Sequence, residues 1–128
     1  MIYLIRHGIA EAYSTSDFVR ELTIEGKIKL KAAFLGFAED FDSKDYKIYV
    51  SPAVRTMQTA EILSDILKCD FETIDDLYDS RYEDFVRELS KDMDYIIVGH
   101  EPYISDLIYQ ITGRNVIVSR GSIHKLEV

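Results

Sequence analysis

The sequence predicts an α/β fold, a three-layer sandwich with a mostly parallel central sheet between two layers of helices. Two observations carry that prediction. Short strand-like segments alternate with longer helical ones along the chain, the order that βαβ units produce. The segments at residues 2–5 and 95–98 are apolar throughout, as strands covered on both faces are. A chain of 128 residues predicts one domain, spanning 1–128, with enough residues to bury a sizeable core. No repeat, low-complexity run or linker interrupts it.

The first strand is Ile2, Tyr3, Leu4 and Ile5, and it runs directly into Arg6, His7 and Gly8. Residues 11–21 are polar, with Ser14, Thr15, Ser16 and Asp17, and are long enough to form a substrate-facing loop. Thr23 reads as a helix N-cap. The helix is expected from residue 24 to about 38, with Ile28, Ala32 and Leu35 inward and Gly26 at a close approach to the sheet. Residues 47–50 form a second, β-branched and aromatic strand. Ser51 as N-cap and Pro52 at the first helical position start a helix that reaches about Lys68. Its apolar stripe is Thr59, Ile62, Leu63, Ile66 and Leu67, and Arg55 sits in its first turn.

Residues 71–74 are a third strand, followed by an acidic loop with Asp75, Asp76 and Asp79. Tyr82, Phe85, Val86 and Leu89 mark a short helix. The strand at 95–98 ends in Gly99-His100-Glu101-Pro102, and Pro102 opens a helix with Ile104, Leu107, Ile108 and Ile111 inward and Gly113 as its stop. Residues 115–118 and 123–128 are expected as closing strands, the second carrying His124 as a structural residue.

Composition excludes several function classes. A net charge of −8 argues against nucleic acid or an anionic membrane as the main partner. The single cysteine, Cys69, allows no intrachain disulfide and no cysteine metal cluster, and it reads as a semi-buried structural residue. No stretch approaches the length of a membrane span, and the N-terminus lacks the regions of a signal peptide, so a cytoplasmic location is expected.

In a parallel sheet the carboxyl ends of the strands share one edge, where ligands bind at a switch in strand order. Arg6 and His7 follow the first strand, Arg55 the second and His100 the strand at 95–98. Three distant segments therefore bring two arginines and two histidines to one rim. Two guanidinium forks in one pocket call for an anion and suit phosphate oxygens. The helix starting after Ser51-Pro52 adds amide donors and a positive dipole end. A histidine there serves either as a cationic phosphate ligand or as a nucleophile. A zinc site is disfavoured, because the arginines repel a metal and no third protein ligand is evident.

Arg6-His7-Gly8, Ser51-Pro52-x-x-Arg55-x-x-Gln58-Thr59-Ala60 and Gly99-His100 together resemble the histidine phosphatase superfamily, whose fold is called phosphoglycerate mutase-like. The resemblance covers nearly the whole chain, in order. It implies that His7 is the nucleophile that becomes phosphorylated, and that Arg6, Arg55 and His100 bind the phosphoryl group. No cofactor is implied. Gly8 would leave the path of the incoming phosphoryl group clear.

The segment Arg20-Glu21-Leu22-Thr23-x-x-Gly26 is similar to the Arg-Pro-Leu-Thr-x-x-Gly of SixA-type phosphohistidine phosphatases, with Glu21 in place of proline. Ile9-Ala10 after Gly8 departs from the Glu-Thr of phosphoglycerate mutases, and the chain has no room for large covering insertions. The expected partner is a phosphorylated protein carrying phosphohistidine, with Arg20 as a further phosphate or protein contact. The alternatives are a small phosphorylated substrate, turned over by a phosphomonoesterase or mutase, and a non-catalytic phosphohistidine-binding or phosphate-binding regulator. Monoesterases of the family use a carboxylate general acid from the loop after the third strand. Asp79 is nearest that position, with Asp75 and Asp76 as rivals and a solvated acidic loop as the other reading. Glu101 beside His100 stands either in the site or at a helix start.

Overall fold

The computed structural model describes residues 1–128. The elements run β1 (Ile2–Arg6), α1 (Ile24–Asp40), β2 (Tyr46–Val50), α2 (Val54–Leu67), β3 (Phe71–Thr73), α3 (Tyr82–Arg87), β4 (Asp94–Gly99), α4 (Tyr103–Thr112) and β5 (Ile123–Leu126). Single 3₁₀ turns occupy Asp17–Val19 and Asp75–Tyr78. The sheet order is β3-β2-β4-β1-β5. β1 to β4 are mutually parallel, and β5 pairs antiparallel with β1. This is the α/β sandwich predicted from the alternation of elements.

Strand alternation explains the layers. Ile2, Leu4, Tyr95 and Ile97 face one core, which holds Tyr82 and Val86 of α3 and Ile104, Leu107 and Ile108 of α4. Ile5, Ile96, Val98, Ile48 and Val50 face the other, against Leu30 and Phe34 of α1 and Ala60 and Leu63 of α2. No helix is long and apolar enough to cross a membrane.

Several local expectations are corrected, and Ile111 of α4, expected inward, is exposed. Helix α1 buries Gly26, Leu30 and Phe34, whereas Ile28 and Leu35 are exposed and Ala32 faces outward with them. The helix carries two apolar faces, and the one with the large aromatic ring removes more apolar area from water. Ser51 does not cap α2. Ala53 holds the N-cap position, so Pro52 lies before the helix and not at its first position, and Ser51 is buried with its hydroxyl turned to His100. Residues 115–118 form no strand. They run as irregular backbone, with Val118 buried and its carbonyl accepting from Arg6 Nη1 at 2.9 Å. Thr23 caps α1 as expected, accepting from Gly26 N at 2.9 Å. Gly26 does mark a close approach, but to the Ile9 backbone and not to the sheet.

Candidate active site

The switch in strand order sits at β4. The chain goes from β1 to β2 two places away and out to β3, then returns to place β4 between them. Arg6 pairs with Gly99 and Val50 with Val98, so the residues that follow β1, β4 and β2 leave the sheet side by side. Two bonds extend the ladder past the strands, His7 N to Gly99 O at 3.1 Å and Ser51 N to Val98 O at 3.1 Å. The His7 and His100 rings thereby stand 5.5 Å apart between centroids. The cleft in front of them, about 690 Å³ and open to solvent, is lined by Arg6, His7, Arg20, Arg55, His100 and Arg120 among others. No set of three His, Cys, Asp or Glu side chains gathers into a metal-holding group.

Hydrogen bonding sets the state of both histidines. His7 Nδ1 lies 2.7 Å from the Gly8 carbonyl, which can only accept, so Nδ1 carries the proton. Nε2 is left with its lone pair, facing Arg55 Nε at 3.3 Å. His100 Nδ1 accepts from Arg55 Nη2 at 3.3 Å, so its Nε2–H donates to Ser51 Oγ at 2.7 Å. Burial, then the Arg55 charge and the other arginines, lowers the His7 pKa to about 4 against the opposing pull of the Gly8 carbonyl. Burial and then Arg55 bring His100 to about 3. Both imidazoles are neutral near pH 7, as nucleophilic nitrogen requires.

These shifts predict a pH dependence of stability. Unfolding returns both histidines to their ordinary pKa of 6.5, so below that value the unfolded chain binds protons that the folded chain refuses. The stability is fully present above about pH 6.5 and falls as the pH drops toward 4. Urea unfolding at pH 7 and pH 4.5 is expected to differ by roughly 2–5 kcal/mol, the more acidic sample being weaker. Equal midpoints would contradict the assignment of two buried neutral imidazoles.

Arg6 is partly buried; its Nη1 holds Val118 O, and its Nε has no protein acceptor. Burial lowers the guanidinium's pKa, with Arg120 adding to the effect and Glu101 opposing it. Arg20 lines the cleft but is engaged by Asp17 Oδ1 at 3.2 Å and Glu11 O at 3.1 Å. Gly8 is turned away from the cleft. Its amide donates to Thr59 Oγ1 at 3.2 Å, and a Cβ there would lie 2.6 Å from Leu30 Cδ1. The glycine is thus required by the core beneath the site, which replaces the expected clearance for a phosphoryl group. Asp79 is not brought into the cleft. It is exposed, and its carboxylate accepts from its own turn, from Arg81 N at 3.2 Å. Asp75 and Asp76 also lie outside the cleft lining. Glu101 lines the cleft, but its Oε1 accepts from Ser105 N at 2.7 Å at the start of α4. His124, in β5, bonds Ser122 Oγ at 2.9 Å.

The supporting roles of several residues are not visible in the sequence pattern. Ser51 orients His100, and Thr59 joins Gly8 N to Arg55 O. Tyr82 receives the His100 amide at 2.9 Å and donates to Leu77 O at 2.6 Å. Its hydroxyl fills the space a Cβ on Gly99 would need, which explains the glycine before His100. Gln58 accepts from Leu22 N at 2.8 Å and donates to Glu21 at 3.0 Å, tying the end of the 11–21 loop to α2. Asp17, Tyr78 and Arg120 also line the cleft. The small residues and the amide beside Arg55 were the available signal, since polar side chains on a buried helix face need named partners.

Comparison with known proteins defines the class. The family model described as "Histidine phosphatase superfamily (branch 1)" matches residues 2–96, and the chain belongs to that superfamily. The matched segment contains Arg6, His7 and Arg55, and the pairing of β4 with β1 places His100 beside them just beyond it. No curated protein sequence matches the chain. Among solved structures, the protein histidine phosphatase SixA complexed with tungstate has a TM-score of 0.82 at 21% identity, covering 95% of this chain and 84% of that one. A candidate phosphohistidine phosphatase SixA from Agrobacterium tumefaciens has a TM-score of 0.75 at 24% identity, covering 88% of this chain and 77% of that one. Phosphoserine phosphatase from Entamoeba histolytica, in complex with 3-phosphoglyceric acid, has a TM-score of 0.67 at 16% identity, with 95% and 87% covered. At these identities the likeness is one of fold: the phosphoglycerate mutase-like sandwich.

Proposed function

We propose that this chain is a phosphatase that forms a phosphohistidine on His7 and takes its phosphate from phosphohistidine on a partner protein. His7 Nε2 attacks phosphorus, and the bond between phosphorus and the substrate imidazole breaks. That imidazole departs neutral once its other ring nitrogen is protonated. Water then attacks the phosphorus on His7, releasing inorganic phosphate and restoring the ring. Arg6, Arg55 and His100 stabilise the equatorial oxygens in both steps. The Gly8 carbonyl holds the His7 tautomer throughout.

The observation that carries the finer reading concerns the leaving group. The two carboxylates of the cleft are both committed, Asp17 to Arg55 and Glu101 to Ser105 N. Asp79 faces its own turn. An alkoxide needs a proton donor in the transition state, whereas an imidazole already protonated from solvent at its other nitrogen leaves without one. A cleft open to solvent also admits a histidine displayed on a protein surface. The SixA names among the similar structures agree with this choice.

The test compares a phosphohistidine-bearing protein with an alkyl phosphate monoester, glycerol phosphate. The expected result is a kcat/KM at least about 10²-fold higher for phosphohistidine, the size of a typical acid contribution. Asp79→Asn is expected to leave phosphohistidine cleavage intact. Dominant monoester turnover, lost in Asp79→Asn, would favour the small-molecule phosphomonoesterase instead.

A further inference from the structure

Two single-turn segments from distant parts of the chain meet over Arg55. Asp17–Val19 comes from the polar loop after β1, and Asp75–Tyr78 from the acidic loop after β3. Asp17 holds the end of the Arg55 guanidinium twice, through its backbone carbonyl to Nη1 at 2.8 Å and its Oδ2 to Nη2 at 3.1 Å. Tyr78 donates its hydroxyl to the same Oδ2 at 3.0 Å, and Arg20 donates to Oδ1 at 3.2 Å. Phe18 packs edge-on against Tyr78 at 5.1 Å, and Tyr78 packs edge-on against His100 at 5.7 Å.

The two edges of the guanidinium have different partners. Its outer edge, Nη1 and Nη2, is taken by Asp17. Its side edge, Nε and Nη2, faces His7 Nε2 and His100 Nδ1 at 3.3 Å each. A planar fork pinned along one edge cannot rotate the other. Partial burial of Asp17 opposes its ionisation, but the Tyr78 hydroxyl and then Arg55 and Arg20 outweigh this, so its carboxyl titrates below the ordinary value. The bracket is therefore charged at working pH.

We propose that Asp17 is a positioning residue, held by Tyr78, which pins Arg55 so that its inner edge meets the phosphoryl group. The proposal rests on the reading of Arg55 as a phosphoryl ligand. It gives the 11–21 loop a definite job, since the loop carries the pin and Phe18 docks it.

A double-mutant cycle tests the proposal, with phosphoramidate as a small phosphoryl donor and phosphate release as the readout. Asp17→Ala is expected to lower kcat about 10- to 100-fold with KM changed less than about 3-fold, because Arg55 contacts the transition state more than the ground state. Asp17→Asn, which keeps one acceptor, is expected to recover part of that loss, and Tyr78→Phe to show a smaller one. In the Arg55→Ala background, Asp17→Ala is expected to change kcat less than about 2-fold, since the pin then has nothing to hold. A similar loss in both backgrounds would overturn the proposal, as would a gain in activity, which would make Asp17 a competitor of the phosphoryl group. Unfolding midpoints recorded alongside separate these results from misfolding. If Arg55→Ala itself left turnover unchanged, the phosphoryl reading of Arg55 would fail on its own, whatever Asp17 does.

Discussion

His7→Ala is expected to abolish phosphatase turnover, with kcat falling by roughly 10⁴- to 10⁶-fold, the scale seen when a covalent nucleophile is removed. The expectation follows from the state of one nitrogen. His7 Nε2 is unprotonated because Nδ1–H is spent on the Gly8 carbonyl, and the residue is 7% exposed. His100 directs one nitrogen at Ser51 and the other at Arg55, and its ring stands behind a different strand. The direct measurement is trapping. Acid-labile, base-stable phosphate should appear on the wild-type chain during turnover, map to His7, and be missing from His7→Ala. Hydrolysis of a phosphohistidine peptide that continued undiminished in His7→Ala would remove His7 from the chemistry.

Arg55→Ala is expected to cost about 10²- to 10³-fold in kcat, the usual effect of losing one pre-placed donor to a developing oxyanion. Lysine should restore little of it. The site uses two edges of a planar fork at once, and an ammonium has only a point charge to offer. A second signature distinguishes loss of charge from general damage. Arg55 is among the groups that depress both histidines, so its removal should raise their pKa values. More of each imidazole is then protonated at a given acid pH, and the acid limb of the kcat/KM profile should move toward neutrality. An unmoved limb would show that burial alone sets the two pKa values.

The convergence of Arg6, His7, Arg55 and His100 was legible because it needs only strand ends and chain order. Each follows a strand directly or opens the next helix, and parallel strands present those ends on one edge. Asp79 illustrates what was not legible. A position counted along a loop says nothing of side-chain direction, and the 3₁₀ turn at Asp75–Tyr78 spends that carboxylate on Arg81 N. The inward face of α1 was ambiguous for a related reason. Ile28 and Leu35 recur at helical spacing as Leu30 and Phe34 do, and the choice depends on which set fits the sheet surface. Ser51 and Thr59 read locally as a cap and a stripe residue. Their partners, His100 and Gly8, are 49 and 51 residues away, beyond any local pattern.

The turn before β5 reaches back to the opposite end of the chain. Gly121 N donates to both Arg6 O and His7 O at 3.0 Å, and Arg6 N donates to Ser122 O at 3.2 Å. β5 itself pairs with β1 from Ile2 to Ile5. One side of β1 is therefore closed by β4 and the other by residues 121–126. A chain cut at residue 118 would keep Arg6, His7, Arg55 and His100 but lose the clasp on the Arg6 and His7 backbone. Amide exchange at Arg6, whose N–H is held by Ser122 O, should be faster in that cut chain than in residues 1–128, whereas the His7 amide keeps its bond to Gly99 O. β5 and the turn before it are in this sense a latch on the strand that carries His7.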